Sequence, residues 1–258
     1  MNWQQLDESI KSKEFSGICL MYGREEYLKD EAIKAASKVF VPSGLEDLNI
    51  IKIESDDLDK IKESVSMPPF MAQRRIVIIE NFKSFFAGKN QYKTDEMEET
   101  VGAIENLLNQ KSKDMCVFFL CRGSVDALNP LAKLFKKHDA AISYDKITEK
   151  EKQDIIKKIA EAKEISISSA NIGFLIRYTD GDLLTLVNEL DKLQNYKQGE
   201  IEVKDIERAC HASVDYNVFA MIKAVESKRK DEALRILKSM LRGGEYAGGI
   251  VSLVERQF

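Results

Sequence analysis

The sequence predicts an α/β fold at its amino end followed by all-helical segments, and three observations carry that prediction. Over roughly the first 145 residues, short apolar runs alternate with amphipathic helical patterns, the alternation that gives a parallel sheet covered by helices on both faces. One run, Ile76-Val77-Ile78-Ile79, is short, unbroken and β-branched, as expected of a strand buried on both sides. After residue 146 strand signals almost vanish while helical periodicity continues to the end. With 258 residues, 44% of them hydrophobic, the chain can bury a large core as one big domain plus smaller ones. The expected division is an α/β domain over 1–145, a small helical domain over 146–213 and a third helical region over 214–258.

The elements follow in order. Trp3, Leu6 and Ile10 have helical spacing, and residues 16–22 (SGICLMY) form a first strand that ends at Gly23. A helix follows over 25–40, a second strand over 48–53, and a helix marked by Leu58, Ile61 and Val65. That helix stops at Pro68-Pro69, because proline has no N–H to donate and pushes its predecessor out of the α region. The third strand is 76–79, closed by Glu80-Asn81. The polar segment 83–94 reads as a mobile connection to a helix over 97–108. A fourth strand covers 115–121, a short helix 129–137 tolerates Pro130 in its first turn, and a fifth strand covers 140–144. Beyond it, Thr148 and Glu151 make a capping box for a helix over 148–163. Helices over 168–178 and 182–196 meet at Asp180-Gly181, and another covers 204–210. Further helices cover 218–227, 231–241 and 247 onward. The last pattern breaks off at Phe258 inside an amphipathic run, as expected of a chain shortened within its final helical region.

Composition excludes several functions. A net charge of −4 gives no overall basic field for nucleic acid. The four cysteines lie in apolar or helical runs and read as free thiols of a reducing compartment, and two histidines are too few for a zinc site. The amino end is polar and acidic, unlike a signal peptide, and no apolar stretch reaches membrane length, so a cytoplasmic protein is expected.

Catalytic chemistry is poorly supported. A nucleotide-binding turn after the first strand needs glycines whose N–H groups wrap phosphate, and a lysine for the outer phosphates. Here the turn is Tyr22-Gly23-Arg24-Glu25-Glu26-Tyr27, with one glycine, no Gly-Lys-Ser/Thr and two carboxylates that repel phosphate. The later RGGEYAGG, Arg242 to Gly249, also lacks the lysine and hydroxyl, follows no strand and reads as a helix–helix turn. Glu80-Asn81 stands where a magnesium-binding acidic pair would be, but one carboxylate and one amide make a poor site. His138 and His211 belong to no catalytic triad pattern. No catalytic, cofactor or metal residue is therefore assigned. Two large apolar residues, Phe70 and Met71, fall in a segment that should be a surface loop. Either they fold back onto the domain's own core, or they present a hot spot to a partner.

Taken together, ICLMYGREEYLKDEAI, MPPFMAQRRIVIIEN, DGDLLTLVNELDKL and NVFAMIKAV resemble, in order and spacing, the delta subunit of the bacterial DNA polymerase III clamp loader. The resemblance implies an AAA+-like P-loop NTPase fold with a five-stranded parallel sheet and a degenerate nucleotide site, then a helical lid and the start of an all-α collar. It also implies a non-catalytic subunit of a DNA polymerase holoenzyme, with no cofactor, that opens the sliding clamp (beta subunit) through the pair matched by Phe70 and Met71. Related ATPase subunits carry a nucleotide-touching arginine in the lid segment matched by Gly181-Asp182-Leu183-Leu184; here Leu184 stands instead. Other loader subunits would bind through the collar, DNA only within the complex, and no membrane is involved. The alternatives are an NTPase with an unusual phosphate site and a generic adaptor with a vestigial nucleotide fold.

Overall fold

The computed structural model describes residues 1–110, 112–145 and 147–256, which fall into two compact units, Met1–Ile147 and Thr148–Phe258. The expected end of the last helical pattern at Phe258, and the expected domain boundary at Lys146, lie outside the described residues.

In the first unit the order is α1 (Trp3–Lys11), β1 (Gly17–Tyr22), α2 (Glu26–Phe40), α3 (Glu46–Asn49), β2 (Ile50–Ile53), α4 (Leu58–Ser66), β3 (Arg75–Glu80), α5 (Asp95–Asn109), β4 (Met115–Leu120), α6 (Pro130–Lys137) and β5 (Ala141–Ser143). The five strands form one parallel sheet in the order β2-β3-β4-β1-β5. Successive side chains of a strand point to opposite faces, and β3 divides its run accordingly. Ile76 and Ile78 pack with Leu6 and Ile10 of α1 and with Ala32, Ala36 and Phe40 of α2. Val77 and Ile79 pack on the other face with Ile61 and Val65 of α4, Ile104 of α5 and Phe135 of α6. Each such side chain stabilises the fold by roughly 1.5–3 kcal/mol on full burial. This two-sided burial is why the strand reads as unbroken apolar sequence rather than an alternation.

Two expectations need correction. The strand expected over 48–53 begins only at Ile50, because Glu46–Asn49 make a helical turn that turns Asn49 inward. The segment 83–94 is not a bare connection. It contains two 3-10 turns, Lys83–Phe86 and Lys89–Gln91, and Phe82 and Phe85 pack edge-on against Phe119 with ring centroids 5.6 and 6.0 Å apart.

The second unit is helical: α7 (Glu149–Ala162), α8 (Ser169–Thr179), α9 (Leu183–Tyr196), α10 (Val203–Ala209), α11 (Val214–Glu226), α12 (Lys230–Arg242) and α13 (Ala247–Glu255). Thr148 and Glu151 form the capping box of α7, and Asp182 accepts the Thr185 N–H to start α9. Asp180, in the left-handed region at φ 43°, ends α8. Leu175, Leu183, Leu186, Leu190 and Ile206 are buried here. Val218, Ile222, Met240 and Ile250 make a smaller cluster among the last three helices. Tyr178 and Tyr216 meet edge-on at 4.8 Å where α8 and α11 approach, and the Ser213 N–H donates to the Tyr178 carbonyl at 2.8 Å.

Candidate partner-binding tip and the closed nucleotide crevice

The tip begins where α4 ends. Asp57 caps that helix by accepting the N–H groups of Asp59 and Lys60, and Ile61 and Val65 fix its inner face. Met67 is already extended, as the following prolines require. Phe70 comes next, and its backbone is held at both ends by one side chain. The Phe70 N–H donates to Asn49 Oδ1 at 2.7 Å, and Asn49 Nδ2 donates to the Phe70 carbonyl at 2.9 Å. Asn49 is fully buried and gives its other amide hydrogen to the Leu45 carbonyl at 3.0 Å. Phe70 itself, by contrast, is 52% exposed and Met71 77% exposed. Neither folds back into the core. Met71 is also held at φ 50°, a region an unbranched residue enters at a cost of about 1–3 kcal/mol and keeps only where the surroundings enforce it.

The far side of the tip is pinned by two buried arginines. The Gln73 N–H donates to the Phe40 carbonyl at 3.0 Å. Arg74 donates to the carbonyls of Lys113 (3.0 Å), Lys13 (2.8 Å) and Phe15, and its guanidinium lies 4.3 Å from the centre of the Phe40 ring. Arg75 donates to the Leu48 carbonyl at 3.2 Å and reaches Met67 Sδ at 3.6 Å. A rigid base therefore carries two exposed apolar side chains. An arrangement of this kind binds with little ordering cost, since the backbone is already fixed.

At the carboxyl ends of the strands, where open α/β sheets hold ligands, the structure shows a filled crevice. Gly23, at φ 124°, exchanges backbone hydrogen bonds with Gly123 (2.7 and 3.3 Å). A Cβ at Gly23 would lie 2.6 Å from the Tyr144 carbonyl carbon, so the close approach requires glycine. The Arg24 N–H donates to Asp145 at 3.0 Å and the Glu25 N–H to the Tyr144 carbonyl at 3.2 Å. These turn N–H groups are spent inside the protein rather than aimed at phosphate. Lys29, which sequence reasoning passed over, is fully buried on α2. Its ammonium donates at 2.8 Å to each of the Gly23 carbonyl, the Cys121 carbonyl and Glu26. All three of its hydrogens are used.

Arg122 extends the network, lying 2.8 Å from Glu26, 3.5 Å from Asp30 and 3.6 Å from Glu80. Partial burial works against its charge, but Asp30, Glu26 and Glu80 outweigh it and hold the guanidinium above its ordinary value. Glu80 therefore serves an ion pair at the end of β3. Among the described residues, no group of three or more His, Cys, Asp or Glu is placed to hold a metal. The cysteines are free and buried; burial pushes Cys116, Cys121 and Cys210 up to about 12 and raises Cys19 as well, so their thiols stay protonated and unreactive. In the helical unit, Leu184 is exposed on the first turn of α9. No helix among the described residues is long and apolar enough to cross a membrane.

Comparison with known proteins agrees with this geometry. The family model for the DNA polymerase III delta subunit matches residues 19–145, and a model described as a middle domain matches residues 148–208. DNA polymerase III subunit delta of Bacillus subtilis is 26% identical over 257 residues, covering 97% of this chain and 73% of its own length. The solved structure of the Bacillus subtilis DNA clamp loader delta protein (YqeN) superimposes with a TM-score of 0.65 at 24% identity, covering 99% of this chain and 76% of that one, which shows a shared fold. That fold is the expected α/β one, a five-stranded parallel sheet followed by helices. By sequence, the α/β part of the chain, residues 19–145, matches the DNA polymerase III delta-subunit family.

Proposed function

We propose that this chain is a non-catalytic clamp-loader subunit that binds and opens the sliding clamp for loading onto DNA during replication. The observation that carries this reading is the tip itself: Phe70 and Met71 are exposed while Asn49, Arg74 and Arg75 hold the backbone beneath them. Two such side chains entering an apolar pocket on the clamp each contribute roughly 1.5–3 kcal/mol, enough to serve as a hot-spot pair. Opening follows only if the tip binds the open ring more tightly than the closed one, and every 1.4 kcal/mol of that difference shifts the ratio about tenfold. A rigid tip keeps this difference, because it cannot relax to suit both forms.

The three-part division proposed is 1–145 for the clamp-contacting α/β domain, 146–213 for the lid and 214–258 for the collar. The collar region takes the other loader subunits, DNA is met within the assembled complex, and the cytoplasm is the compartment. ATP is hydrolysed by other subunits. The NTPase alternative is disfavoured because Lys29 and the turn N–H groups already have internal partners. A generic adaptor would have no use for a strained, exposed Phe-Met tip. The test is to mix the purified chain with its sliding clamp on a sizing column. Co-elution supports the proposal, and separate elution at tens of micromolar overturns it.

A further inference from the structure

Helix α12 carries a feature for which the clamp contact has no use. Its inner side packs Ala233 and Met240, with Ile236 and Leu237 partly buried beside them. Arg235, Lys238 and Arg242 recur on the outer side at spacings of three and four residues, so they share one helix face. All three are exposed, and none has an ion pair among the described residues. With Asp231, Leu234 and Ser239 they line a shallow groove of about 500 Å³. Glu232, the other acid of this helix, is taken by Arg229 at 2.7 Å. Residues 223–242 hold seven lysines and arginines against three acids, in a chain whose net charge is −4.

A surface helix ordinarily relieves its cations with acids at these spacings. Here Asp231 stands one turn before Arg235 on the same face, but Lys238 has Arg235 one turn before it and Arg242 one turn after it, so the cations outnumber the acid and still repel one another. A protein partner is the weaker occupant, because the core of a protein interface is depleted of charge and built on apolar anchors. On α12 the charges are central, and the exposed Leu234 and Leu241 lie to one side. Phosphates ask for the arrangement seen: a row of arginine and lysine heads about 10 Å long at 1.5 Å rise per residue. No aromatic side chain stands within the row to stack an unpaired base, which favours duplex over single strands.

We infer that the outer face of α12 contacts the phosphate backbone of duplex DNA through Arg235, Lys238 and Arg242. The contact is independent of sequence, and it does not depend on Phe70 and Met71 binding the clamp. The test is fluorescence anisotropy of a labelled 20-base-pair duplex with the purified chain, titrated over about 25 to 200 mM salt. Three phosphate contacts predict a slope of log affinity on log salt of about −2.7. The Arg235→Ala/Lys238→Ala/Arg242→Ala variant should bind at least about tenfold more weakly at the lowest salt, with a slope near zero. The charge-preserving Arg235→Lys/Lys238→Arg/Arg242→Lys variant should retain binding, and thermal unfolding of each should match the parent. Absence of duplex binding by the parent at the lowest salt overturns the inference, as does an alanine variant with unchanged affinity and slope. Loss of clamp affinity in the alanine variant with duplex binding intact would assign the face to a protein and overturn it too.

Discussion

Asn49 offers the sharpest test of whether the tip is held in advance of binding. Replacing it by alanine removes the two hydrogen bonds that grip the Phe70 backbone, at 2.7 and 2.9 Å, and the one to Leu45 at 3.0 Å. A hydrogen bond contributes about 0.5–1.5 kcal/mol net, and a buried polar group left without a partner costs about 1–3 kcal/mol. Because the Phe70 backbone can turn to water once released, the expected loss of stability is about 2–3 kcal/mol. The second effect falls on binding. Fixing the backbone of one residue costs about 1–2 kcal/mol, and in the variant Phe70 and Met71 must be fixed by the partner itself. Two residues at that cost make clamp affinity fall by about 25- to 700-fold, although both contact side chains are intact. Calorimetric titration of Asn49→Ala with the clamp, beside thermal unfolding of the same protein, measures both. A variant that melts earlier but binds the clamp at parental strength would refute pre-organisation by Asn49.

Three further outcomes follow from the same geometry. Lys29→Met leaves the buried Cys121 carbonyl without its ammonium donor and Glu26 with Arg122 alone, so it should destabilise the first unit by about 1–3 kcal/mol in denaturant titration. Neither the parent nor this variant should give a saturable Mg-ATP signal in calorimetry, since the turn has no phosphate cradle; micromolar binding would revive the NTPase reading. In the helical unit, the Asp205 carboxyl is held below its ordinary value, first by the hydrogen bond from Lys197 at 2.6 Å and then by the Glu202 N–H. A lowered carboxyl stabilises the fold above its unfolded value of about 3.9 and loses that contribution as pH falls through its folded value. Asp205→Asn should accordingly unfold earlier at pH 7 and show a flatter loss of stability as pH falls below about 3.9, followed by circular dichroism.

Much of the fold is legible because it is written in local patterns. The run from Ile76 to Ile79 has no polar break because both its faces are covered, and Thr148 with Glu151 marks the start of α7 directly. The exposure of Phe70 and Met71 follows from Pro68-Pro69 ending α4 beneath them. What was not legible depends on partners far apart in the chain. Asn49 looked like the start of a strand, and only the fold brings its amide to Phe70, 21 residues later. Nothing in the local sequence marks Lys29, and only the fold brings it to the Cys121 carbonyl, 92 residues away. The segment 83–94 looked polar and loose because the weight of Phe82 and Phe85 lies in ring contacts with Phe119.

The most direct measurement is clamp affinity together with thermal unfolding for the Phe70→Ala/Met71→Ala variant. Hot-spot truncations typically cost about 2–4 kcal/mol, and each 1.4 kcal/mol is about tenfold in affinity. If these two side chains are the clamp anchor, binding weakens by at least about a hundredfold. The unfolding temperature stays near that of the parent, because residues 52% and 77% exposed contribute little to the core. A variant that still binds the clamp at full strength would contradict the proposed contact, whatever its unfolding temperature.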